Sequence, residues 1–217
     1  QLRRFIGIEY SLTAITLDPQ FHGVPGDYAE VEKLCARMEI PCVIKRTQIG
    51  EIVFDARKEP NPCSLCARMR RGALHDAAKE AGCNKIALGH HYNDVIETFL
   101  MNLFNEGRLG CFSPKSYLSR KDLWLIRPLV FAPEKEIRRA VERTGLPVVK
   151  SKCPADGYTQ RQAMKEFLAQ KERESSGFQY RIFGALRRSG LDGWGFPEPQ
   201  KKPDDPGAAP NEGGILL

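Results

Sequence analysis

The chain has 217 residues, 33 of them Lys or Arg and 27 Asp or Glu, for a formal charge of +6. Hydrophobic residues at 41% and charged residues at 28% are ordinary for a globular chain, and exclude a collagen and a wholly disordered polymer. No apolar run approaches the ~20 residues that cross a bilayer, and Gln1-Leu2-Arg3-Arg4 opens without the apolar segment of a signal peptide, so no membrane partner is expected.

In chain order, residues 12–17 read as a buried strand and 27–38 as an amphipathic helix with Tyr28, Val31, Leu34 and Cys35 on one face. Cys42-Val43-Ile44 starts a second strand. A helix follows over about 64–81, stopped by Gly82, then a strand over 85–89 and an apolar helix over 93–104. Residues 123–126 read as a short strand, Pro133 opens a helix to about Thr144, and 146–149 extend again. Two helices close the pattern, near 159–174 and 178–189. Strands alternating with helices imply a parallel sheet with helical crossovers, an α/β fold whose ligands sit beyond the carboxyl ends of the strands. That directs attention to the residues after Leu17, Thr47 and Gly89. The expected organisation is an α/β domain over 1–150, a helical segment over 151–191 and a disordered tail over 192–217, where Pro alternates with Gly and charge. That tail carries five acidic residues against Lys201 and Lys202, so the body is more basic than the whole. A basic body suits a polyanion such as nucleic acid, although a charge sum alone says nothing about clustering.

Seven cysteines, an odd number without a secretory signal, argue against a disulfide framework and for a reducing, cytoplasmic compartment. Cys63-Ser64-Leu65-Cys66 places two thiols at the start of a helix, where free N–H groups favour thiolates. The best third ligand is Cys153, also at a strand-to-helix turn. Three thiolates suit an iron–sulfur cluster with one open iron; zinc with the three cysteines and a histidine is the alternative. Cys35, Cys42, Cys83 and Cys111 read as packing or surface thiols.

Gly89-His90-His91-Tyr92-Asn93-Asp94 follows the third strand directly, in the expected crevice. Asp94 can hold Mg²⁺ beside phosphates, or it can open a capping box with Glu97; the histidines can contact a nucleotide or a metal. Arg68, Arg70 and Arg71 can neutralise phosphates or form a solvated face. Arg127, Arg138 and Arg139 invite the same two readings.

Taken together, these residues resemble the PP-loop ATP-dependent tRNA thiolases, most of all the tRNA 2-thiocytidine synthetases (TtcA). The matching features are Cys63-x-x-Cys66 with Arg70-Arg71-Gly72, then 85–91 with Asp94 and Glu97-Thr98. They continue with Asn102-Leu103-Phe104, Ile126-Arg127-Pro128-Leu129, and Cys153 ahead of Gln160-Arg161-Gln162. The resemblance covers roughly residues 1–190. It implies a Rossmann-like adenine-nucleotide hydrolase sheet with helices on both faces. It implies a reaction in which ATP activates a base carbonyl, pyrophosphate leaves, and sulfur displaces the adenylate. The implied cofactors are ATP, Mg²⁺ and a [4Fe-4S] cluster on Cys63, Cys66 and Cys153. Asp94 would lie at the ATP–Mg²⁺ site, Thr16, Leu17, Asp18, Gly89, His90 and His91 would line the nucleotide pocket, and Arg70 and Arg71 would bind phosphates.

The implied partners are tRNA, with a cytidine of the anticodon loop as target, and a sulfur donor, either a cysteine desulfurase or sulfide; a homodimer is a further expectation. A uridine thiolase, or a metal-stabilised RNA-binding protein without catalysis, are the competing readings. The family signature Ser-Gly-Gly-Lys-Asp-Ser, which cradles pyrophosphate, is not in this sequence. The resemblance therefore implies that the first strand and phosphate loop are missing, and that the 217-residue chain alone is thiolation-dead.

Overall fold

The computed structural model describes residues 5, 7–58 and 61–195. Among the described residues, five strands and six α-helices follow in the order β1 (Ala14–Asp18), α1 (Ala29–Arg37), β2 (Cys42–Arg46), α2 (Pro62–Glu80), β3 (Lys85–Ala87), α3 (Tyr92–Glu106), β4 (Lys115–Leu118), β5 (Leu123–Ile126), α4 (Glu134–Thr144), α5 (Gln160–Glu174) and α6 (Phe178–Ser189). β1 pairs with β2 in parallel, and β3 pairs with β5 in parallel, as the alternating pattern requires. Helix α2 is the crossover that packs against both β1 and β3. Among the described residues, β1 and β3 do not pair with each other.

Three features depart from expectation. β4 is an added strand, antiparallel to β5, because the two are joined by residues 119–122 and so short a connection cannot reverse into a parallel pair. Glu51–Ala56 form a π-helical turn that periodicity does not signal. Residues 146–149 form no strand. The Leu146 N–H closes α4 by bonding to the Val141 carbonyl, and Pro147 has no N–H to offer a ladder.

Two apolar clusters anchor the halves. Ile86, Leu123 and Leu125 pack with Ala78 of α2, and Ile15 of β1 reaches the same cluster. Val95, Ile96 and Leu100 of α3 pack with Met164 and Leu168 of α5 and with Phe183 and Leu186 of α6. The expected helical segment over 151–191 therefore shares its core with α3 of the α/β domain rather than standing apart. The tail expectation is corrected at its start. Trp194 is only 3% exposed and sits in that same core, its Nε1 donating to the Phe112 carbonyl at 2.9 Å. The Asp192 carboxylate accepts the Cys111 N–H at 2.8 Å. A large aromatic with a partner for its N–H gives these residues enough burial to hold them. The remainder of that expectation, 196–217, lies outside the described residues. Among the described residues no helix is long and apolar enough to cross a membrane.

Candidate functional site

The carboxyl end of β1 leads into a loop organised by Asp18, which is 3% exposed. Its carboxylate accepts the N–H groups of Gln20 at 3.1 Å and Gly26 at 2.9 Å. The loop after β2 is clasped to it. Thr47 donates from its N–H and hydroxyl to the Asp18 carbonyl, and the Gly50 N–H donates to the Pro19 carbonyl at 2.8 Å. A Cβ on Gly50 would stand 2.7 Å from the Pro19 carbonyl oxygen, so only glycine permits this approach. Asp18 thus spends both oxygens on its own loop. Thr16 and Leu17 lie half-buried within β1.

Helix α2 begins at Pro62, whose missing N–H costs nothing in the first turn, and Asn61 provides no side-chain cap. Cys66 is buried against Ile49 and Val53 of the π-helical turn and its approach, while Cys63 is exposed. Cys153, in a turn closed by the Asp156 N–H on its carbonyl, is partly exposed. The Lys152 ammonium donates to the Pro25 carbonyl at 3.3 Å, tying the Cys153 segment to the Asp18 loop.

The three thiols feel one another. Burial first, and then Cys153, push the Cys63 thiol above its ordinary value. Burial also pushes Cys66 up, Arg70 pulls it back, and Cys153 and Cys63 push it up again. Against the thiolate expectation at the helix start, burial and the neighbouring sulfurs favour the protonated form of both thiols in the metal-free chain. Among the described residues no three His, Cys, Asp or Glu side chains are placed to hold a single metal ion. Arg70 reaches the Asp18 loop as well. Burial and the Asp18 carboxylate raise the Tyr28 phenol, and Arg70 lowers it.

A second group forms beyond β3. Gly89 stands in open space, with no atom within 4 Å of where a Cβ would be. His91 and Asp94 form the capping box of α3: the His91 Nδ1 accepts the Asp94 N–H at 3.4 Å, and the Asp94 carboxylate accepts the His91 N–H at 2.9 Å. The expected box between Asp94 and Glu97 is replaced by this one, shifted three residues earlier. Glu97 faces inward instead, with its side chain 2% exposed, and pairs with Arg161 at 2.8 Å. Arg161 also reaches the Asp94 carboxylate at 3.4 Å and donates to the Thr98 hydroxyl at 3.1 Å. His90 packs on Phe112 with ring centroids 4.7 Å apart. Burial, then Arg127, lower its pKa, so the imidazole is neutral at neutral pH.

The residues expected at the site thus fall into two groups. Cys63, Cys66, Cys153 and Arg70 gather beside the Asp18 loop; His90, His91 and Asp94 gather around Arg161, and Arg71 lies toward Arg127. Glu97, Arg161, Tyr28 and Lys152 were not assigned site roles from sequence. Only Glu97 and Arg161 carried a signal, through the motifs Glu97-Thr98 and Gln160-Arg161-Gln162.

The PP-loop domain family matches residues 9–172. The chain belongs to the PP-loop family. Among similar proteins are the tRNA-cytidine(32) 2-sulfurtransferases of Pelobacter propionicus, 40% identical over 189 residues, and Syntrophotalea carbinolica, 36% identical over 192. The alignments cover 86% and 85% of this chain, and 70% and 72% of those relatives. Among solved structures, the U34-tRNA thiolase NcsA from Methanococcus maripaludis, with its [4Fe-4S] cluster, superposes with a TM-score of 0.66 at 24% identity. That match covers 85% of this chain and 63% of the other, and shows a shared fold. In this PP-loop domain the two residue groups both lie past the carboxyl ends of parallel strands, where open α/β sheets bind their ligands.

Proposed function

We propose that this PP-loop domain serves an ATP-dependent tRNA thiolase that places sulfur on a cytidine of the anticodon loop. The observation that supports the reading is that Cys153, far along the chain from Cys63 and Cys66, is close enough to act electrostatically on both, and that its neighbour Lys152 is tied to the Asp18 loop. All three are free thiols. Their donor chemistry fits a [4Fe-4S] cluster, whose thiolates sit on separate irons rather than converging on one ion. Cys63, Cys66 and Cys153 are the residues that would hold such a cluster, which would supply a point at which sulfur could be bound beside the activated base. Burial holds the protons on Cys63 and Cys66, so uptake of such a cluster as thiolate ligands would release protons.

The chain's own residues prepare the rest. A base carbonyl oxygen is a poor leaving group; adenylation by ATP releases pyrophosphate and turns that oxygen into part of a phosphate ester, which sulfur then displaces as AMP. Charge developing on phosphate calls for cations, and Arg70 and Arg71 are exposed on α2 with no carboxylate paired to them among the described residues. Asp94 keeps a lone pair on each oxygen beyond its present bonds, enough to share with Mg²⁺. A loop base is reachable because it can be splayed from its stack. The sulfur donor would be a cysteine desulfurase or sulfide, the setting the cytoplasm, and a homodimer is compatible with the reading.

The test is mass spectrometry of tRNA nucleosides from a strain lacking the gene. Loss of 2-thiocytidine, with 2-thiouridine intact, is the expected result. Loss of 2-thiouridine with 2-thiocytidine intact would transfer the assignment to the uridine chemistry of the structural neighbour.

A further inference from the structure

Among the described residues, the buried side-chain nitrogens and oxygens left without a hydrogen-bond partner are two: His90 Nδ1 and Arg127 Nε. Both side chains pack on the same ring. The His90 imidazole lies 4.7 Å from the Phe112 centroid, and the Arg127 guanidinium carbon also lies 4.7 Å from it. Arg127 follows β5 and His90 follows β3, the two adjacent parallel strands. The Leu88 N–H on the Ile126 carbonyl holds the two exits side by side.

Arg127 is a half-buried cation without a counter-charge. Its Nη1 donates to the Ser113 carbonyl, and among the described residues no carboxylate lies within ion-pair distance of it. Arg71, a like charge, pushes its pKa down, and the thiol of Cys111, which also acts on it, is itself pushed up to about 12 by burial and stays neutral. Native interiors rarely leave a buried donor unmet, and rarely bury a guanidinium unpaired. A half-buried guanidinium with its Nε unmet, an imidazole on the same ring with its buried Nδ1 unmet, and a second arginine adding positive potential make the arrangement that a bound oxyanion completes. The neutral His90 can turn an Nδ1 proton toward the same ligand.

We propose that Arg127, with Arg71 and His90, forms a binding site for a phosphate-class oxyanion at the carboxyl ends of β3 and β5. The site deepens the thiolase reading and rests on it for its biological ligand, which is either a nucleotide phosphate or an RNA phosphodiester. Anion binding itself does not depend on sulfur transfer.

The experiment is a thermal melt of the 217-residue chain at fixed ionic strength, with sodium pyrophosphate in one arm and a single-stranded oligoribonucleotide in the other. The wild-type chain should melt several degrees higher in at least one arm, since a ligand bound only by the folded state stabilises it. A response to pyrophosphate alone assigns the site to a nucleotide, and to the oligonucleotide alone to the RNA backbone. Arg127→Met should lose the response and, without anion, melt no lower than wild type, because an unpaired buried cation has been replaced by an apolar chain. If Arg127→Met does not fold, Arg127→Lys serves, with an expected tenfold weaker response because it keeps the charge and loses the fork. A wild-type chain indifferent to both anions, or an undiminished response in the variant that folds, overturns the site. Since neither readout involves thiolation, such a failure leaves the thiolase reading intact, and loss of that reading leaves the anion site intact.

Discussion

Arg161 reaches across 64 positions of sequence to place its guanidinium 2.8 Å from the buried carboxylate of Glu97. One cation on α5 thereby neutralises an acid on α3 and touches Asp94 at the mouth of the same helix. Burial raises the Glu97 pKa and Arg161 pulls it back. Arg161→Ala should cost about 2 kcal/mol, less than a fully enclosed pair would, because the arginine is 38% exposed. A raised folded-state pKa means that the folded chain holds the proton more tightly than the unfolded one. Stability linked to Glu97 is therefore greatest at low pH and is lost as pH rises through the folded value. The Arg161→Ala penalty should shrink from about pH 8 to about pH 4.5, and Glu97→Gln in the same chain should remove most of its pH dependence. Urea midpoints across that range read both effects.

Cys153→Ala should leave the fold nearly untouched, within about 0.5 kcal/mol, because the side chain is partly exposed and only the backbone of its turn is bonded. In a complemented deletion strain the same variant should drop 2-thiocytidine to background. In the metal-free protein, Cys63 should alkylate faster with iodoacetamide than in wild type. The neighbouring sulfur that raises its pKa is gone, and more thiolate is present at a given pH.

Asp18→Ala should destabilise by about 2 kcal/mol, because the part-buried N–H groups of Gln20 and Gly26 lose a charged acceptor. Asp18→Asn keeps one acceptor oxygen and should cost less. Chemical denaturation separates the two. Both variants should also lower thiolation, since the Pro25 carbonyl that receives Lys152 belongs to the same loop.

Trp194→Ala should cost about 3 kcal/mol by opening a cavity among Phe183, Phe131 and Leu186, measurable as a lowered melting midpoint. An unaffected melting point would mean that the turn after α6 contributes nothing to the core.

The alternation of strands and helices was readable because each long element carries its own period, and Gly82, Gly145 and Pro133 mark three boundaries. β4 escaped because Lys-Ser-Tyr-Leu is four residues long and needs β5 beside it to declare a face. The Glu51–Ala56 turn escaped because its hydrogen bonding has no sequence period. At the site, residue types were readable and distances were not. Asp94 could be named as cap or ligand, yet only folding shows that it takes the N–H of His91 and the charge of Arg161. Glu97 and Arg161 each stood in a recognisable motif, but their pairing needs α5 docked against α3. Trp194 sits at the threshold of a Pro- and Gly-rich stretch, where composition outvoted a single buried ring.

Among the described residues β1 and β3 each have one unpaired flank, and this has a consequence for motion. β5 is laddered on both sides and its neighbours on one, so deuterium should enter the backbone of Ile15, Leu17 and Ala87, whose N–H groups face away from the paired strand, well before it reaches Leu125. The slowest-exchanging part of the described residues would then be a four-residue strand beneath α2.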